Sequence, residues 1–238
     1  MIQLMCTFST KGKTISIFPS FEVNTPIIYL NTFSNEGQKV FKAAQAAGCP
    51  SFTLVTISDL NWNHDMVPWD SPPAFKNAEP CTGGANDYLR LLTEETIPTA
   101  EKEINGVPFW RGIAGYSLAG LFALWAAYEC DCFSGIICCS GSLWFQDWDI
   151  YVEEHTLHSK CKIYLSLGGR EEKTKNKVMA RVGDRTREQK KKLEKDPMAE
   201  RVFLEWNAGG HFADEGKRLA KGIRYLFHIS QSGGNIKE

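Results

Sequence analysis

The chain has 238 residues, 43% of them hydrophobic, with 27 basic and 28 acidic side chains. That is ample apolar material for one domain with a large core. A net charge of −1 excludes a global field that would draw the protein to nucleic acid or to a membrane surface.

Leu4–Phe8 and Ile15–Phe18 flank the turn Lys11-Gly12-Lys13 and predict an N-terminal β-hairpin. The first eight residues lack a basic start followed by an apolar run, so no secretory signal is expected. Ile27–Leu30 reads as a buried strand. Val40, Phe41, Ala44 and Ala47 then share one face of a helix over 36–47, ended by Gly48 and Pro50. Phe52–Ile57 is the next strand. Residues 58–85, with Trp62, His64, Trp69, Pro68, Pro72, Pro73 and Gly83-Gly84, read as a long irregular segment; loops of that length usually shape a site. Asn86 is placed to cap a helix through Tyr88, Leu91, Leu92 and Ile97, bent at Pro98.

Phe109–Ala114 predicts a strand and Leu118–Tyr128 a helix that is apolar nearly all round. The stretch Gly112–Tyr128 carries no charge, but its three glycines and tight charged brackets, Arg111 and Glu129, fit a buried strand plus helix better than a membrane span. Phe133–Ser140, Cys161–Leu167 and Val202–Trp206 are further strands, and Leu219, Ile223, Leu226 and Phe227 stripe a C-terminal helix. Arg170–Lys195 holds 11 basic against 5 acidic residues. It reads as a charged insertion over 170–200, either a solvated helix or a basic flap over a site for anionic substrates. Strand and helix alternate throughout, which predicts one α/β domain over 1–238 with a mostly parallel central sheet and chemistry at the carboxyl ends of strands.

Gly115-Tyr-Ser117-Leu-Ala-Gly120 sits at one such end and is close to a nucleophile elbow, with Ala119 at the last glycine position. Serine is a poor nucleophile unless a base takes its proton, and a carboxylate usually orients that base. Of five histidines, His211 follows the last strand in Ala208-Gly-Gly-His211-Phe. His155, His158 and His228 read as surface or packing residues, and His64 as a substrate contact. For the acid, Ser166-Leu-Gly-Gly-Arg-Glu171-Glu172 places Glu171 ahead of Glu172 after its strand, with Asp184 and Asp214 weaker choices. The order Ser117, Glu171, His211 is that of an α/β-hydrolase. An oxyanion would be held by the N–H of Leu118 and by one from the loop after Leu30, at Thr32 or Phe33; that loop lacks a His-Gly-Gly run.

On these residues, together with Ser140-Gly-Ser-Leu-Trp144-Phe and Gly168-Gly-Arg-Glu171, the chain resembles the esterase D and enterochelin-esterase-like group of the α/β-hydrolases. The resemblance implies an α/β-hydrolase fold and a serine carboxylic-ester hydrolase acting on an aryl, feruloyl or siderophore-type ester. Acyl transfer on the same fold and a non-catalytic hydrolase-fold binding protein are the alternatives. Trp144 would wall the acyl or leaving-group site, or simply pack in the core. Trp62, His64 and Trp69 would join it in holding substrate. No metal or other cofactor is expected; the only C-x-C among eight cysteines, Cys130 and Cys132, has no histidine nearby. The thiols fit a reducing cytoplasm. The expected partner is a small-molecule ester, with neither nucleic acid nor membrane, and the exposed sheet edges are where a homodimer would form.

Overall fold

The structure, a computed structural model, describes residues 6–74 and 76–227. β1 (Cys6–Thr10) and β2 (Lys13–Phe18) form the expected hairpin, whose predicted first residues, Leu4 and Met5, lie outside the described residues. The remaining strands are β3 (Ile27–Asn31), β4 (Thr53–Ser58), the two-residue β5 (Asp70–Ser71) and β6 (Cys81–Thr82), β7 (Arg111–Tyr116), β8 (Gly135–Cys139), β9 (Cys161–Gly168) and β10 (Ala199–Asn207). All except β5 and β6 join one eight-stranded sheet in the order β1-β2-β4-β3-β7-β8-β9-β10. β1 with β2 and β2 with β4 pair antiparallel; every later pairing is parallel.

The helices are α1 (Gly37–Ala46), α2 (Trp62–Asp65), α3 (Ala85–Leu91), α4 (Ile97–Lys102), α5 (Leu118–Glu129), α6 (Trp148–Glu154), α7 (Val182–Leu193) and α8 (Glu215–Phe227). The short apolar runs become central strands because both faces of the sheet are covered. On β3, Ile27 and Tyr29 enter one core with α3, α4, α5 and α6, while Ile28 and Leu30 enter the other with α1 and α8. Every residue of α5 except Glu129 is buried. The charge-free stretch thus divides into β7 and α5, and among the described residues no helix is long and apolar enough to cross a membrane. Together these elements are the α/β-hydrolase fold with its mostly parallel sheet.

Three segments differ from expectation. The first turn of α3 begins at Ala85, with Gly84 rather than Asn86 at its N-cap, because the Gly84 and Ala85 amides are tied to the carbonyls of His64 and Val67. The irregular stretch 58–85 contains α2 and the β5–β6 ribbon, in which Asp70 faces Thr82. Residues 170–200 are part of the helical layer: Val182, Thr186, Gln189 and Leu193 of α7 are buried. Gln189 accepts from the Trp148 indole N–H at 2.9 Å and donates to the Tyr128 hydroxyl at 3.0 Å. The lysine run at 190–192 on the outer face obscures this inner stripe in the sequence.

Candidate active site

At the end of β7 the chain reverses into α5 through Ser117, whose φ of 60° and ψ of −123° are a strained, left-handed conformation for a residue with a side chain. The turn is held by the Ser117 amide donating to the Cys139 carbonyl at 3.1 Å and by the Ser117 carbonyl accepting from Gly120, Leu121 and Ser142. Only glycine fits at position 115, where a Cβ would collide with the Ala119 carbonyl. The methyl group of Ala119 in place of a glycine is accommodated because it points into the core, fully buried.

Ser117, His211 and Glu171 meet, though 94 and 40 residues separate the pairs. Ser117 Oγ lies 3.1 Å from His211 Nε2, and His211 Nδ1 lies 2.7 Å from Glu171 Oε2. A hydroxyl, an imidazole and a carboxylate joined in series allow the ring to take the hydroxyl proton while the acid fixes the tautomer. The other carboxylate oxygen, Oε1, accepts from Ser140 Oγ at 2.6 Å and from the Gly168 amide at 2.7 Å. The alternative acids are engaged elsewhere: Glu172 and Asp184 with Arg187, and Asp214 with Lys217. Burial raises the Glu171 pKa, but hydrogen bonds from His211, Ser140 and Gly168 outweigh it and hold the carboxyl below its usual range.

A lowered folded-state pKa means the unfolded chain binds the proton more tightly, so stability rises with pH across this titration. The contribution of Glu171 is full above the unfolded carboxylate value of about 4.3 and is lost as pH falls through the lower folded value. Urea unfolding as a function of pH should show an acid loss of stability that is shallower in Glu171→Gln. Parallel curves for the two proteins would contradict this.

Sequence reading overlooked Arg218. This side chain, 1% exposed, places Nη1 3.0 Å from Glu171 Oε1 and 2.9 Å from both the Tyr116 hydroxyl and Ser140 Oγ. Its Nη2 donates to the carbonyls of Ala208 and Gly210, and the Tyr116 hydroxyl donates to the His211 carbonyl at 2.6 Å. One guanidinium therefore ties the carboxylate to the loop that carries the imidazole. A signal was present: Arg218 precedes Leu219 in the first turn of α8, beside the apolar stripe, where a charged residue needs a buried partner.

A cavity of about 580 Å³ opens onto Ser117 and His211. Trp62 and Trp144 line it, as do Leu118 and Thr32. The other two expected substrate residues do not. His64 hydrogen-bonds through Nδ1 to the Thr82 carbonyl and lines a separate hollow with Lys13 and Asp65. Trp69 donates to the Gln146 carbonyl at 2.9 Å and packs its ring on Phe145 and Tyr151, behind the wall. Thr32 is also corrected as an oxyanion donor. Its amide donates to the Ile57 carbonyl at 2.9 Å, continuing the β3–β4 ladder, and its hydroxyl donates to the Ser34 and Ile57 carbonyls. The amides of Leu118 and Phe33 carry no hydrogen bond to a described residue. His155 and His158 lie on the surface, and His228 is outside the described residues.

The "Putative esterase" family model matches residues 31–213, from the end of β3 through His211. An uncharacterized protein, YbbA of Bacillus subtilis, is 23% identical over 92% of this chain and 93% of its own. Among solved structures, the siderophore hydrolase EstA of Aspergillus nidulans superposes with a TM-score of 0.75 at 17% identity, covering 94% of both chains. An IroE-like serine hydrolase of Shewanella oneidensis gives 0.76 at 18% identity, over 93% of this chain and 79% of that one. The family match spans the elbow, the acid and the histidine loop on an α/β-hydrolase sheet, so the chain belongs to the putative esterase family and is a carboxylic ester hydrolase.

Proposed function

We propose that the protein is a serine esterase working through an acyl-enzyme on Ser117. The observation that carries this is the Ser117–His211–Glu171 chain, with its 3.1 and 2.7 Å links, at a strained elbow facing the cavity. His211 Nε2 takes the Ser117 proton as Oγ bonds to the ester carbonyl carbon. The negative oxygen is held by the amides of Leu118 and Phe33. Collapse breaks the bond to the alcohol, which leaves with the proton from His211. Water then adds to the acyl-enzyme, gives its proton to His211, and the acid departs as the proton returns to Ser117. Glu171 fixes the tautomer, and Arg218 is a positioning residue that holds Glu171 and the histidine loop together.

The aromatic walls Trp62 and Trp144 suit an aryl or feruloyl ester, and the likeness to EstA supports a siderophore-type ester. The reading is tested by incubating the protein with a fluorophosphonate probe and locating the adduct by mass spectrometry. Labelling on Ser117 that disappears in His211→Ala is expected. An unlabelled wild type, or an adduct that survives in Ser117→Ala, overturns it.

A further inference from the structure

The cavity's charged rim and apolar walls bear on which ester enters it. Four charged residues line it among the described residues: Glu36, Lys39, Glu79 and Glu215. Three are carboxylates. Lys39, the one cation, lies a turn from Glu36 on the same face of the helix and lays its stem over Gly216, next to Glu215. Elsewhere the lining is mostly apolar, with Trp62, Pro72, Trp144, Phe145 and Met179 beside uncharged polar groups such as Asn63 and Ser71.

The basic stretch 170–195 contributes Met179 alone to this lining. Its arginines face other groups: Arg185 pairs with Asp149 and Glu188, and Arg187 with Glu172 and Asp184 while lying over the Trp206 ring. In the neighbouring hollow, across the wall made by Pro72 and Trp144, Arg181 and Arg185 are matched by Asp147 and Asp149. An acyl group bearing a carboxylate or phenolate would lose hydration in the apolar part and meet net negative charge at the rim.

We infer that this cavity takes esters with uncharged, apolar acyl groups and selects against anionic ones. The inference rests on the serine-esterase reading above and narrows it: among siderophore-type and aryl esters, the neutral ones are the substrates.

Three p-nitrophenyl esters of matched length test it: the hexanoate, the half-ester of adipic acid, and the ω-aminohexanoate. The hexanoate should have the highest kcat/KM and the carboxylate-ended ester a value at least about 10-fold lower, with the ammonium-ended ester between them. Because exposed charges are screened within about 8 Å at physiological salt, the gap between the two charged esters should narrow as salt is raised. Glu36→Gln with Glu215→Gln should raise the carboxylate-to-hexanoate ratio about 3-fold by lessening that field. Turnover of the carboxylate-ended ester equal to or faster than the hexanoate overturns the inference and leaves the esterase reading standing. A gap between the charged esters that ignores both salt and the two substitutions overturns the charge argument. No turnover of any of the three, with no fluorophosphonate adduct, overturns the serine-esterase reading and this inference with it.

Discussion

Ser117→Ala is expected to lower kcat for p-nitrophenyl butyrate by about 10⁴–10⁶-fold, and His211→Ala by a similar factor. In the proposed mechanism the two act as one unit, since the hydroxyl becomes nucleophilic only as its proton passes to the ring nitrogen 3.1 Å away. The double variant should therefore be little worse than either single variant. Glu171→Gln keeps the shape but replaces an anion with a neutral amide that can present the wrong hydrogen-bonding group to His211 Nδ1. A loss of about 10²–10⁴-fold is expected there. Unchanged thermal melting in Ser117→Ala would separate lost chemistry from lost fold. Near wild-type turnover in either Ser117→Ala or His211→Ala would remove the residue from the proposed mechanism. Turnover of Glu171→Gln close to wild type would reduce the triad to a serine–histidine pair.

Arg218→Met should destabilise the protein by about 3–5 kcal/mol in urea unfolding, because removing one partner leaves a buried carboxylate without its counter-charge. The loss should be partly repaired in Arg218→Met with Glu171→Gln, where no uncompensated anion remains. Purely additive effects would show that the guanidinium is not coupled to the acid. Arg218→Lys should recover less than charge alone would suggest. A single ammonium cannot reach Glu171 and also hold the carbonyls of Ala208 and Gly210, as the two arms of the guanidinium do. A positioning role also predicts that kcat falls more than KM rises in Arg218→Lys and that the acid limb of the pH–rate profile moves. A merely structural role would leave that profile in place in the folded fraction.

Arg218 lies outside the residues matched by the family model, which end at 213. The first turn of the last helix is thus joined to the site by a contact that family membership alone would not suggest. Gly168 fits the same arrangement, since a Cβ there would press on the Gly209 carbonyl, Arg218 Nη2 and Glu171 Oε1 within 3 Å. Gly168 has no room for a side chain because Glu171, Arg218 and the loop at Gly209 share one small volume.

Much of the fold was legible because it depends on short-range pattern. Alternating apolar runs of strand length between amphipathic or fully apolar helices specify a parallel sheet covered on both faces, and the positions of β3, α5 and α8 follow from it. The elbow was legible for the same reason: its small residues are adjacent in sequence because the tight turn is itself local. His211 and Glu171 were legible as candidates because each follows a strand that the pattern had already placed.

What remained hidden depends on which residues meet across the fold. Thr32 and Phe33 look equivalent in the loop, yet parallel pairing with β4 consumes the Thr32 amide at Ile57. Trp62 and Trp69 are seven residues apart in one segment. Trp62 opens α2 and lines the cavity, whereas Trp69, just before β5, packs on Phe145 and Tyr151 behind the wall. The basic stretch reads as a solvated helix or a flap because charge is visible residue by residue, whereas its ion pairs with Asp149 and Glu153 are made with α6. The amino-acid order by itself determined the strand and helix pattern, the strained turn and the serine at its apex, since backbone sterics and apolar periodicity act over a few residues. Only the tertiary structure decided which loop amide is taken up by a strand partner, which tryptophans reach the cavity and that Arg218 lies against Glu171, because hydrogen bonding and burial are settled between segments that meet only once the chain is packed.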